Sequence, residues 1–128
     1  MHTGHKPLQL SLLPKTWILD IDGTIFKHNG YLKQDNALLP GISELFRGIG
    51  DEDIVILLTA RDEVYRMETE CALAGSGLRW NYLIMGVPHG ERILINDKKP
   101  SGLITAYAVN VERDGGIPPS FFVRKNNL

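Results

Sequence analysis

An α/β sandwich around a mostly parallel sheet is the architecture this sequence predicts, and three observations predict it. Five short apolar runs, Thr16–Ile21, Asp53–Leu58, Trp80–Met85, Arg92–Ile95 and Thr105–Val109, read as strands. Several are almost continuously apolar, the pattern of strands covered on both faces of a parallel sheet. Segments of helical character lie between them, and regular alternation of strand and helix builds parallel α/β sheets.

Each element has its local reason. Pro40-Gly41 introduces a helix over Ile42–Ile49, where Ile42, Leu45, Phe46 and Ile49 share one face. Asp62 is placed to cap a helix that runs to about Ala74 and is closed by Gly75 and Gly77. Pro100–Leu103 suffices for one turn of helix. Residues 1–14 form an N-terminal extension with a brief apolar patch at Leu8–Leu13. Residues 114–128, with Gly115, Gly116, Pro118 and Pro119, form a loop or tail that ends in a docked Phe121-Phe122 pair or frays. One domain over 1–128 accounts for the whole chain, since a chain of 128 residues buries about two-thirds of its unfolded surface.

Composition narrows the function classes. Lys and Arg number 14 against 15 Asp and Glu, a net charge of −1, so no basic excess points to nucleic acid or an acidic membrane surface. No apolar run approaches the roughly 18 residues of a membrane helix, and no signal peptide is read at the N-terminus. The single cysteine, Cys71, cannot form an internal disulfide and is read as a small buried apolar residue. A cytoplasmic protein is the expectation.

The chemistry concentrates in Trp17-Ile18-Leu19-Asp20-Ile21-Asp22-Gly23-Thr24. A buried strand runs into two carboxylates and a glycine. In extended backbone, positions two apart face the same way, so Asp20 and Asp22 can share a site. Gly23 lets the chain turn sharply, and Thr24 offers a hydroxyl and an amide. Adjacent carboxylates are costly without a cation, and magnesium prefers oxygen ligands. Two further strand ends follow in order: Ile54 to Leu58 delivers Thr59-Ala60-Arg61, and Ile93 to Ile95 delivers Asn96-Asp97. In open α/β sheets, ligands bind beyond the carboxyl ends of the strands, where all these residues fall.

In this ordered set the chain resembles the phosphatases of the haloacid dehalogenase superfamily. Asp20-Ile21-Asp22-Gly23-Thr24 is similar to the family's first motif, Thr59 to its second and Asp97 to its fourth, over about Thr16 to Asn110. The resemblance implies a Rossmann-like three-layer α/β/α sandwich and a magnesium-dependent phosphomonoester hydrolase. Asp20 would be the nucleophile that forms an aspartyl-phosphate, and Asp22 the general acid and base. Asp20, the Asp22 backbone carbonyl and Asp97 would hold Mg2+. Thr59, Gly23, Thr24, Ala60 and Lys98 are the phosphate-binding candidates, and Arg61 and Arg92 the substrate contacts.

The pattern departs from the family in two places. Residues 62–95 contain no lysine to serve as a third motif, and Gly86-Val87-Pro88 stands where it would be sought. Lys98 or Arg92 is the substitute. Ser101 and Gly102 stand where many relatives carry another acid, so Asn96 is a candidate metal support. His28 and His89 read as exposed loop residues. The stretches from Thr24 to Thr59 and from Thr59 to Asp97 have no room for a lid domain, so the chain resembles a capless member. An open site of this kind suggests a homo-oligomer. Residues 96–116 resemble small phosphatases associated with bacterial surface-polysaccharide synthesis, which implies a phosphorylated sugar as the small-molecule phosphate ester. The alternatives are a catalytically weak binding or regulatory domain of the same fold, or a phosphatase for nucleic-acid ends or phosphoprotein.

Overall fold

Strand β2 (Thr16–Asp20) is the start of the sheet that positions the candidate site. In the computed structural model, which describes residues 6–126, it pairs in parallel with β3 (Ile54–Leu58), and β3 pairs in parallel with β4 (Tyr82–Ile84). The register sets Leu19 opposite Leu57 and Leu57 opposite Leu83, so these side chains share one face with Trp17 and Val55. Helices α1 (Ile42–Arg47) and α2 (Arg66–Gly75) supply Ile42, Leu45 and Leu73 to the core on that face, with Ile21, Ile25 and Phe26 from the turn after β2. Asp62 accepts a hydrogen bond from the Val64 N–H at 3.0 Å and caps a short 3-10 turn, Glu63–Tyr65, that leads into α2.

The opposite face carries Ile18, Ile54, Ile56, Leu58, Tyr82 and Ile84. Of these, Ile18, Ile54, Tyr82 and Ile84 are exposed. The arrangement is an open, parallel α/β one, consistent with a generic Rossmann-like fold. The expectation of strands covered on both faces is corrected: the second covering is incomplete among the described residues.

Two predicted strands do not form. Arg92–Ile95 and Thr105–Val109 adopt no regular secondary structure, and β2 ends the order of its sheet with no strand on its outer side among the described residues. An apolar run becomes a strand only when a neighbour takes up its N–H and C=O groups. Here the segment is held by polar side chains instead: the Asn96 amide donates to the Thr105 carbonyl at 3.3 Å and to its hydroxyl at 3.0 Å, and the Thr105 hydroxyl donates to the Asp97 carbonyl at 2.5 Å. Ile93 and Ile95 stay 82% and 89% exposed.

The supposed extension and tail meet. β1 (Leu8–Leu10) and β5 (Phe122–Arg124) pair in parallel, and the Phe122 ring packs 5.0 Å from that of Trp17. Phe122 is thus docked; the first five residues of the expected extension and the last two of the tail lie outside the described residues. Gly116, at φ 79, crosses Pro40 so closely that a Cβ would strike the Pro40 carbonyl. That crossing lets Ile117 donate to the same carbonyl at 2.8 Å and enter the core. Cys71 is exposed rather than buried, because α2 buries Thr69 and Leu73 and the residue midway between them faces outward.

Candidate active site

The carboxyl ends of β2 and β3 bring Asp20, Asp22, Thr59 and Arg61 to one edge of the sheet. Asp20 is the last residue of β2. Beyond it the chain folds back on itself: the Ile21 carbonyl accepts from the N–H groups of Thr24, Ile25 and Phe26 at 3.2, 2.8 and 3.1 Å. Gly23 completes the turn at φ 86, and its N–H donates to Phe26 at 2.7 Å. Ile21, Ile25 and Phe26 are fully buried, so the turn is anchored from beneath while its acids stay at the rim. The tip of β3 is fixed in the same manner. Thr59 donates its N–H to Ile84 and accepts from Val87, each at 3.0 Å.

Side-chain contacts then join the two tips. The Thr59 hydroxyl lies 3.4 Å from Asp22 Oδ2 and accepts the Arg61 N–H at 3.0 Å. Arg61 grips Asp22 with both arms of its fork, Nε to Oδ2 at 2.9 Å and Nη2 to Oδ1 at 2.8 Å. Its Nη1 donates to Thr69 Oγ1 at 2.9 Å, and the guanidinium sits 4.1 Å from the Tyr31 ring centre. Tyr65 meets Tyr31 edge-on at 5.0 Å. Burial raises the Tyr31 phenol above its usual range, the Asp22 charge adds to the rise, and Arg61 opposes it.

Asp20 has its own arginine. Arg92 Nη1 donates to Asp20 Oδ1 at 3.0 Å, and the Thr24 hydroxyl donates to Oδ2 at 3.2 Å. Both members of this pair are more than a third exposed, whereas the Arg61 side chain is 2% exposed.

The predicted residues therefore divide. Asp20, Asp22, Gly23, Thr24, Thr59, Ala60 and Arg61 are assembled by two strand ends, and Arg92 reaches them from a distant segment. Asp97 and Lys98 are exposed, and Lys98 makes no ion pair among the described residues. Arg61, expected as a substrate contact, is turned inward onto Asp22. Asn96 is engaged with Thr105 rather than with a metal site. His89 is exposed as read; His28 is half-buried, its backbone N–H donating to Asp114 Oδ1 at 2.7 Å. Tyr31 and Thr69 were not anticipated. Thr69 had a signal: a hydroxyl on the apolar side of a helix needs a partner. Tyr31 had none in its polar loop.

As placed, these residues form no ready-made cluster for a divalent ion. Both Asp22 oxygens are held by Arg61, both Asp20 oxygens have partners, and no three acidic, histidine or cysteine side chains are grouped for a metal among the described residues. Clefts of about 530 Å3 beside Leu12 and Arg124 and about 280 Å3 beside Leu45 and Phe122 do not include Asp20, Asp22 or Thr59.

No helix among the described residues is long and apolar enough to cross a membrane. Comparison of the chain with protein-family models, with curated proteins and with solved structures gives no match. Residue chemistry on a small parallel α/β frame, compatible in general terms with an enzyme domain, is thus the basis for any functional reading.

Proposed function

We propose that the chain hydrolyses phosphomonoesters through an aspartyl-phosphate on Asp20. The observation that supports this most is the meeting of Asp20, Asp22 and Thr59 at one sheet edge, with Thr59 Oγ1 3.4 Å from Asp22 Oδ2. In the proposed reaction an Asp20 oxygen attacks phosphorus in line as the ester oxygen leaves with a proton from Asp22. Asp22 then takes a proton from water, which attacks phosphorus and frees phosphate and Asp20. The Thr24 and Thr59 hydroxyls and the Arg92 guanidinium are the groups available to the phosphoryl oxygens. Arg92 is the proposed substitute for the missing lysine; its fork suits phosphate.

Magnesium enters this proposal as a cation to be tested, and no step is routed through it. The substrate proposed is a small sugar phosphate. Nucleic-acid ends are disfavoured by the near-neutral charge, because long phosphate chains reward clustered Lys and Arg. A second copy of the chain is proposed to border the open site, and sedimentation velocity giving a fully active monomer removes that part.

One specific observation favours a second reading, a phosphate-binding or regulatory domain without turnover: each carboxylate already carries an arginine. An aryl phosphate assay of wild type and Asp20→Asn, with and without magnesium, separates the two. Turnover lost in Asp20→Asn supports the hydrolase, and metal dependence of that turnover supports the cation. Equal signal in both proteins leaves the binding domain. A panel of sugar phosphates, nucleotides and phosphopeptides then ranks substrates.

A further inference from the structure

We propose that Arg61 is the positioning residue of Asp22, a guanidinium locked inside the fold that fixes the plane and the reach of that carboxylate. The inference rests on the reading of Asp22 as the acid–base group of phosphate-ester hydrolysis. It assigns Arg61 a task other than substrate contact.

Four contacts hold Arg61 before it holds anything else. Its own backbone N–H is bound by Thr59 Oγ1, so residue 61 is set by the tip of β3. Nη1 is spent on Thr69 Oγ1, and that hydroxyl in turn donates to the Tyr65 carbonyl at 2.7 Å, which ties the arginine to α2. The Tyr31 ring covers the guanidinium at 4.1 Å, and the Phe26 ring lies 6.0 Å away. With so many degrees of freedom removed, Nε and Nη2 present a rigid pair of donors to the two Asp22 oxygens.

A two-point grip determines the orientation of a carboxylate plane, which one ammonium cannot do. Stability alone does not account for it. A buried ion pair recovers little more than its desolvation cost, and an apolar pair of similar shape often stabilises as well. Asp22 itself is 17% exposed on its side-chain surface, so the carboxylate held by Arg61 still keeps an open side. Displacing such a base by about 1 Å costs on the order of 100-fold in rate.

The test uses the full chain, 4-nitrophenyl phosphate, and two readouts: steady-state turnover and the fraction of chain phosphorylated on Asp20 after acid quench. In Arg61→Gln, turnover falls about 10- to 100-fold while the phosphorylated fraction rises, because nitrophenolate leaves without help and the water step depends on Asp22. Arg61→Lys recovers only part of the turnover. In the Asp22→Asn background, Arg61→Gln causes no further loss, as expected of a residue that acts through another. Normal turnover in Arg61→Gln, full recovery in Arg61→Lys, or an equal fall of turnover and phosphorylated fraction overturns the proposal while leaving the hydrolase reading intact. Wild-type protein that never carries phosphate on Asp20 and turns over no faster than Asp20→Asn overturns both. If Arg61→Gln does not fold, Thr69→Val serves, since it removes only the hydroxyl that receives Nη1: slower turnover with a raised phosphorylated fraction supports the proposal, and no change overturns it.

Discussion

The three-stranded sheet holds buried or half-buried acids at both ends, and the two ends satisfy them in opposite ways. At the amino ends of the strands, Asp53 accepts from the Lys15 N–H at 3.0 Å, the Gly50 N–H at 3.0 Å and Trp17 Nε1 at 2.8 Å. Its nearest cation is Arg124, whose Nη2 lies 3.9 Å away. At the carboxyl ends, Asp20 and Asp22 are met by arginines and hydroxyls. Backbone and indole donors that cannot leave make Asp53 a joint between β2, β3 and the turn before β3. At the other end Arg61 stays locked on Asp22, but the exposed Arg92 on Asp20 can be exchanged for a ligand, which makes that end a place for chemistry. Asp20 illustrates this most directly, since its arginine comes from an exposed segment and an exposed pair is worth at most about 1 kcal/mol.

The comparison breaks if the two ends respond alike to removal of their acids. The largest effect is expected at the carboxyl end, where Asp20→Asn lowers aryl phosphate turnover by about 1,000-fold or more. Its melting temperature stays near wild type, because Asp20 is more than a third exposed. Asp53→Ala does the reverse. It strands three donors and costs about 2–4 kcal/mol in urea unfolding followed by tryptophan fluorescence, with turnover per folded molecule unchanged.

Acid sharpens the contrast further. Burial pushes the Asp53 carboxyl up, but the hydrogen bonds from Trp17, Lys15 and Gly50 outweigh it and hold the group below its ordinary range. A carboxyl depressed by folding contributes stability that is complete above its unfolded value, about 3.9, and is lost as pH falls through the lower folded value. Denaturant titrations from pH 5 downward therefore show a loss of stability below about pH 4 that Asp53→Asn flattens. At the other end, Arg92→Gln leaves stability within about 0.5 kcal/mol and weakens KM for a phosphate ester by about 2- to 10-fold. An unchanged KM removes Arg92 from phosphate binding.

How much of this was legible in the sequence depended on whether the determinants were local. The strand at Ile54–Leu58, the helix begun by Asp62 and the turn at Asp22-Gly23 each follow from neighbours within a few residues, and each is present. So is the convergence of Asp20, Asp22 and Thr59, because two parallel strands of matched register end at the same edge. What depended on distant partners was not legible. Leu8–Leu10 is too short to announce a strand until Phe122–Arg124 lies beside it. Arg61 followed Thr59 in a manner that suggested a substrate contact, and only Tyr31 and Thr69, from separate elements, turn it inward.

The segment around Ile93–Ile95 is the sharpest case, since it has the composition of β3 without its surroundings. Val55 and Leu57 in β3 are fully buried, between β2 and β4 and beneath the helices, whereas Ile95 is 89% exposed. Apolar sequence supplies a driving force only if a surface exists on which to spend it, at about 25 cal/mol per Å2 removed from water. Ile95 removes almost none. Ile95→Ser is accordingly expected to change unfolding stability by less than about 0.5 kcal/mol. Truncating Leu57 to Ala costs about 2–5 kcal/mol by comparison. A loss in Ile95→Ser that approached the Leu57→Ala value would mean that residues 93–95 are packed in solution, and the β2 edge would be the first place to look for what they pack against.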